Sequence, residues 1–203
     1  MDAQQNHETL ECPNPGSMMR TIVPLVEAEF YRYKALGEGA LGQVTPEQLV
    51  EGSTVANSIA TLVWHVSGNL ESRFTDFLTS DGEKPWRDRD SEFEARNVTP
   101  EEVRAKWERG WSVLETTLSA LQDADLSRIV TIRGVELRVD EALFRSLAHA
   151  SYHVGQIVSA AKRFRGESWE YLSIPPGGSA AYAANPVLEK PSQHARTMRD
   201  DTG

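Results

Sequence analysis

Three of the five histidines in this 203-residue chain stand where imidazole could do coordination chemistry. His149 and His153 are four residues apart, in His-Ala-Ser-Tyr-His. On a helix that spacing puts both rings on one face, about 40° apart, where they can bite one metal ion. Helix geometry fixes the pair in advance and so lowers the ordering entropy of binding. The pair lies at the edge of an apolar stripe that includes Leu143, Leu147, Ala150, Val154 and Ile157. Ala142, Ser146 and Ala160 share that edge, and their small side chains leave space for a ligand. Gln156 falls nearby, whereas Glu141, Arg145 and Arg163 lie further round, toward solvent.

His65 sits in the middle of a second polar seam, Ser58, Thr61, His65, Asn69, Ser72 and Asp76. This seam runs beside the apolar stripe Ile59, Leu62, Val66, Leu70 and Phe74 at helical spacing. Placed face to face, the two seams bring three neutral imidazoles together with at least one coordination position open, as in a catalytic rather than a closed structural site. Imidazole suits zinc, nickel, cobalt, iron or copper. The competing reading is a hydrogen-bonded polar layer that sets helix register without metal. His7 and His194 fall in polar terminal segments and carry little weight.

The elements that must position these residues are four amphipathic helices. The first is expected over residues 17–36, with Ser17 as its cap, Pro24 awkwardly inside it, and Gly37, Gly39 and Gly42 ending it. The second covers residues 54–78. Residues 79–99 lack periodicity and read as a long crossover through Lys84-Pro85-Trp86-Arg87. The third begins at Thr99-Pro100-Glu101-Glu102, a cap, a proline at the first helical position and two acids on the dipole, and reaches about Gln122. Residues 128–138 alternate around Arg133-Gly134, which predicts a short hairpin-like excursion. The fourth helix runs over 139–165 and stops at Gly166. The expectation is an all-α four-helix bundle in one domain, residues 17–185, between a flexible arm, 1–16, and a flexible tail, 186–203.

Composition narrows the partners. The formal net charge is −9 with 25% charged residues and no basic stripe, which disfavours nucleic acid. No apolar run approaches the roughly 20 residues that span a bilayer, and no signal peptide is visible. The single cysteine, Cys12, cannot form an internal disulfide, and its proline-rich setting reads as an inert thiol. A cytoplasmic protein acting on a small molecule is expected, with a homodimer as a possible assembly through Trp64, Trp107 and Trp111. For Trp107 and Trp111, core packing is the preferred role.

Three segments resemble the DinB-like superfamily of bacterial metal-binding four-helix bundles, which includes YfiT-type proteins. They are Leu62-Val63-Trp64-His65-Val66-Ser67-Gly68-Asn69, Val130-Thr131-Ile132-Arg133-Gly134, and Leu147 to Ile157, which is similar to the superfamily's His-x-x-x-His-x-Gly-Gln-Ile signature. A branch known only as a domain of unknown function is more similar still, through Arg73 to Leu78, Gly82 to Arg87 and Ser173-Ile174-Pro175. The resemblance covers roughly residues 17–185. It implies an up-down-down-up bundle and one divalent metal ion, zinc or nickel foremost, on His65, His149 and His153. Characterised relatives include transferases and isomerases that use low-molecular-weight thiols, and others look like hydrolases.

The first functional expectation is a metal-dependent enzyme transferring a low-molecular-weight thiol to a small electrophile. Asn69, Asp76 and Gln156 are candidates to bind the substrate, and Trp86, Arg87 and Arg89 to cover it as a lid from the crossover. The second is a metal-dependent hydrolase, although no glutamate lies beside the His-x-x-x-His turn to serve as a built-in base. The third is a non-enzymatic metal-binding module for stress response or interaction.

Overall fold

The computed structural model describes residues 21–52 and 57–200. The expected arm 1–16, Cys12, His7, the Ser17 cap and the start of the second helix at residues 54–56 lie outside these residues.

α1 (Ile22–Leu41) begins later than expected. The Asp123 carboxylate, distant in sequence, accepts hydrogen bonds from the backbone N–H groups of Thr21, Ile22 and Val23. Pro24 thus falls in the first turn, where no intrahelical bond is lost, and it neither kinks nor breaks the helix. Gly37 and Gly39 do not end it either. A Cβ at Gly37 would stand 2.5 Å from the Trp107 ring, so glycine here permits a close helix–helix approach. Only Gly42 caps the end.

A short helix that the sequence reading did not anticipate, α2 (Pro46–Val50), follows under a Thr45–Gln48 capping box. α3 (Ile59–Phe74) opens on Ser58, whose hydroxyl accepts from the Thr61 N–H at 3.1 Å. It stops before the expected residue 78, because the chain turns extended at Thr75 and left-handed at Asp76, φ 49°. The crossover contains one 3-10 turn, Ser91–Phe93. α4 (Pro100–Ala120) starts under the anticipated Thr99–Glu102 capping box.

β1 (Ile129–Ile132) and β2 (Val135–Arg138) pair antiparallel, with Ile132 opposite Val135. Arg133 and Gly134 both take positive φ, 55° and 73°, as a two-residue hairpin turn demands. α5 (Val139–Arg165) has the anticipated limits, with Gly166 at φ 55° as its stop.

Beyond lie α6 (Ser179–Ala184) and α7 (Pro191–Asp200). Within the stretch expected as a flexible tail, 186–203, α7 packs on α1. His194 and Ala195 are buried at that contact, and the His194 Nε2–H donates to the Leu172 carbonyl at 2.9 Å. The residues of α7 are mostly polar, and that composition reads as a frayed tail.

Among the described residues the chain is mostly helical, with seven helices and one two-stranded sheet. α3 packs on α4 and α5, and α1 packs on α5 and α4. One core joins them. Phe30 meets Phe74 and Trp111 edge-on, each at 6.3 Å, and Trp107 and Trp111 are wholly buried. Both tryptophans therefore pack the core, in their preferred role. No helix among the described residues is long and apolar enough to cross a membrane.

Candidate metal centre

Packing of α3 against α5 brings His65, His149 and His153 together. One ring nitrogen from each lies within 4.8 Å of the others, and these are the residues that the two seams predicted. Ring centroids are 4.6–5.1 Å apart. Nε2 of His65 lies 3.2 Å from Nε2 of His149. Two nitrogens bound to one ion at about 2.0–2.1 Å in tetrahedral geometry stand about 3.3 Å apart, so the spacing suits shared coordination.

The tautomers follow from the neighbours. The Glu92 carboxylate can only accept, so His65 donates from Nδ1 to Oε2 at 2.9 Å and turns the Nε2 lone pair inward. His153 Nδ1 is 2.8 Å from Oε1 of Gln156, which as an amide carbonyl accepts the ring N–H and leaves Nε2 free. Such hydrogen bonds orient imidazole ligands and raise their basicity.

Burial alone would push the Glu92 carboxyl up. Hydrogen bonds from His65 and Arg87 outweigh it and hold the group below the usual glutamate range. Arg87 donates to both Glu92 oxygens, from Nε at 2.8 Å and from Nη2 at 2.9 Å, and its side chain is only 2% exposed. Burial, then the neighbouring His153 and His65 rings and the Arg87 and Arg73 guanidiniums, lower the His149 pKa to about 3. His153 is lowered as well, chiefly by burial. His149 and His153 are therefore neutral donors at neutral pH, as coordination requires.

Glu92 is the site residue that sequence reading missed. It lies in the aperiodic crossover, where no spacing rule points to it. Gly68, one turn beyond His65, makes room for it. A Cβ there would collide with the Glu92 carboxylate.

These residues are matched by a family model for proteins of unknown function, DUF1572, over residues 17–178. The chain belongs to the DUF1572 family. Neither the curated proteins nor the solved structures contain a match to it.

The remaining candidates of this DUF1572 chain separate. A pocket of about 220 Å³ opens beside His65 and His149, and Asn69, Arg89 and Ser146 line it. Asp76 lies exposed past the end of α3 and is not among the residues lining that pocket. Gln156 faces His153 and a neighbouring pocket instead.

The three expected lid residues do different things. Arg87 is buried under the site, Trp86 is 56% exposed, and Arg89 stands at the pocket wall over the Phe93 ring. The seam on α3 is also drier than expected. The Ser58 hydroxyl donates to Thr61 Oγ1, and that of Ser72 to the Gly82 carbonyl, so only His65 and Asn69 reach the pocket. Arg145 is exposed, as expected, and lines the pocket as well.

Proposed function

We propose that this chain is a DinB-like four-helix bundle that holds one divalent metal ion, zinc or nickel, and transfers a low-molecular-weight thiol to a small electrophile. The observation that carries the reading is the convergence of three imidazoles, two of them with Nδ1 anchored, at the edge of a pocket. A divalent ion on Nε2 of His65, His149 and His153 would supply Lewis acidity that lowers the pKa of an approaching thiol.

The chain's own residues prepare that site. Glu92 and Gln156 orient the rings, Arg87 keeps Glu92 ionised, and the Phe93 ring, 4.6 Å from His65, shields one side from water.

Contact register supports the up-down-down-up topology. Gly110 faces Ser67, and Thr117 donates to the Phe74 carbonyl, seven residues further along both helices, as in a parallel pair. Gly37 meets Trp107 while Phe30 meets Trp111, as in an antiparallel α1–α4 pair.

Thiol transfer is favoured over hydrolysis because a hydrolase needs a base at the pocket. Among the described residues no carboxylate lines it, and both oxygens of Glu92 are already occupied as acceptors. The test is a screen of low-molecular-weight thiols against epoxides and alkyl donors with metal-loaded protein. A thiol-dependent product, together with a thiol-induced change in the visible spectrum of a cobalt-substituted sample, is expected. Spectral silence across the thiols, with ester or amide cleavage instead, would contradict the reading.

A further inference from the structure

The pocket beside the histidines has a second character that the imidazoles do not explain. Five arginines line it: Arg73 and Arg87 from below, Arg133 from the hairpin turn, and Arg89 and Arg145 at the wall. Two carboxylates answer them. Glu83 accepts from Arg73 at 3.1 Å and from Arg133 at 3.0 Å, and Glu92 accepts from Arg87. The lining itself is thus rich in positive charge, in a chain whose formal net charge is −9. Concentration of one sign in a partly enclosed space focuses the field on whatever enters.

The two wall arginines are the ones left over. The nearest acid to Arg89 is the fully exposed Asp90, at 3.9 Å, too far for a hydrogen bond. The Arg145 side chain makes no hydrogen bond or ion pair among the described residues. Asn69 and Ser146 add neutral polar groups beside them. The hairpin is held in place for this wall, because Asp81 accepts from the backbone N–H groups of both Arg133 and Gly134 at 2.8 Å.

We propose that this pocket is an oxyanion subsite, in which Arg89 and Arg145 bind a carboxylate or phosphate group of the substrate. Guanidinium forks match both groups bidentately. About 220 Å³ holds one such group and a short linker, so the ligand would be a small acid entering anion first. That the anion belongs to a substrate rests on the functional reading above, whereas the arginine subsite itself does not.

The test is calorimetric titration of the full chain at low ionic strength with inorganic phosphate, with succinate and with glycerol. Each is run on chelator-treated and on zinc-loaded protein. Saturable binding of phosphate or succinate, with none of glycerol, is expected in both forms, and the tighter of the two identifies the oxyanion. The pair Arg89→Gln and Arg145→Gln should weaken it by about tenfold or more, with lysine at both positions restoring part of it. Arg89 gives up only its stacking on Phe93 and its approach to exposed Asp90, and neither arginine leaves a buried charge unpaired, so the variants should keep nearly the wild-type melting temperature and metal content.

Unchanged binding in the glutamine variant would overturn the subsite. So would binding seen only with zinc, which would put the anion on the metal. Arginine-dependent binding by a protein that takes up no metal would support the subsite while refuting the proposed metal function.

Discussion

His65 presents Nε2 because Glu92 occupies Nδ1, and Glu92 stays charged because His65 and Arg87 both donate to it. Replacing Glu92 with alanine removes the orienting acceptor and strands a guanidinium that is 2% exposed. A loss of about 10–100-fold in metal affinity is expected, by chelator competition, along with about 3–5 kcal/mol of stability, by denaturant titration. Gln156→Ala should weaken metal binding without the stability loss, since it leaves no buried charge behind. The same residues set an acid limit. The His149 pKa is lowered to about 3, so the unfolded chain takes up a proton near its ordinary value of 6.5 while the folded chain does not. Stability therefore falls as pH drops from about 6.5 toward about 3, and the lowered Glu92 carboxyl adds to the loss in the same direction. Thermal melts of chelated protein between pH 7 and pH 4 should show a steady decline. A melting temperature that rises on acidification would contradict these protonation states. His149 and His153 were legible at this scale because a four-residue spacing is a local signal, and His65 because it sits in a polar seam at helical spacing. Glu92 was not, because its role depends on where a crossover folds back.

Element limits could be read wherever a cap or turn residue has a local mechanism. Thr99 and Glu102 cap α4, Arg133-Gly134 turns the hairpin, and Gly166 stops α5. Thr99→Ala should cost about 1 kcal/mol in chemical denaturation, with no effect on metal binding. Reading failed where a tertiary contact overrides the local rule. Gly37 looks like a helix stop, but Trp107 fills the space that a side chain would need. The N-terminus of α1 is capped by Asp123, about a hundred residues away, which no local pattern could indicate.

For the molecule as a whole, the residues matched by the family end at 178, while α7 lies beyond them and covers α1. A chain ending at residue 178 should melt at a lower temperature yet keep its metal stoichiometry, because α3 and α5 carry the three histidines. The acidic surface and the arginine-lined pocket are both visible in composition only as a total. The total of −9 hides the local excess of positive charge, which depends on the hairpin, the crossover and α5 meeting beside α3.

The claim on which the rest stands is that the three imidazoles share one ion. The most direct measurement is elemental analysis of untagged protein after exposure to zinc or nickel and removal of the free ion. About one ion per chain is predicted, falling close to zero in His149→Ala while that variant keeps its helical circular dichroism. Metal well below one per chain in the native protein, or equal amounts in native and variant, would contradict it.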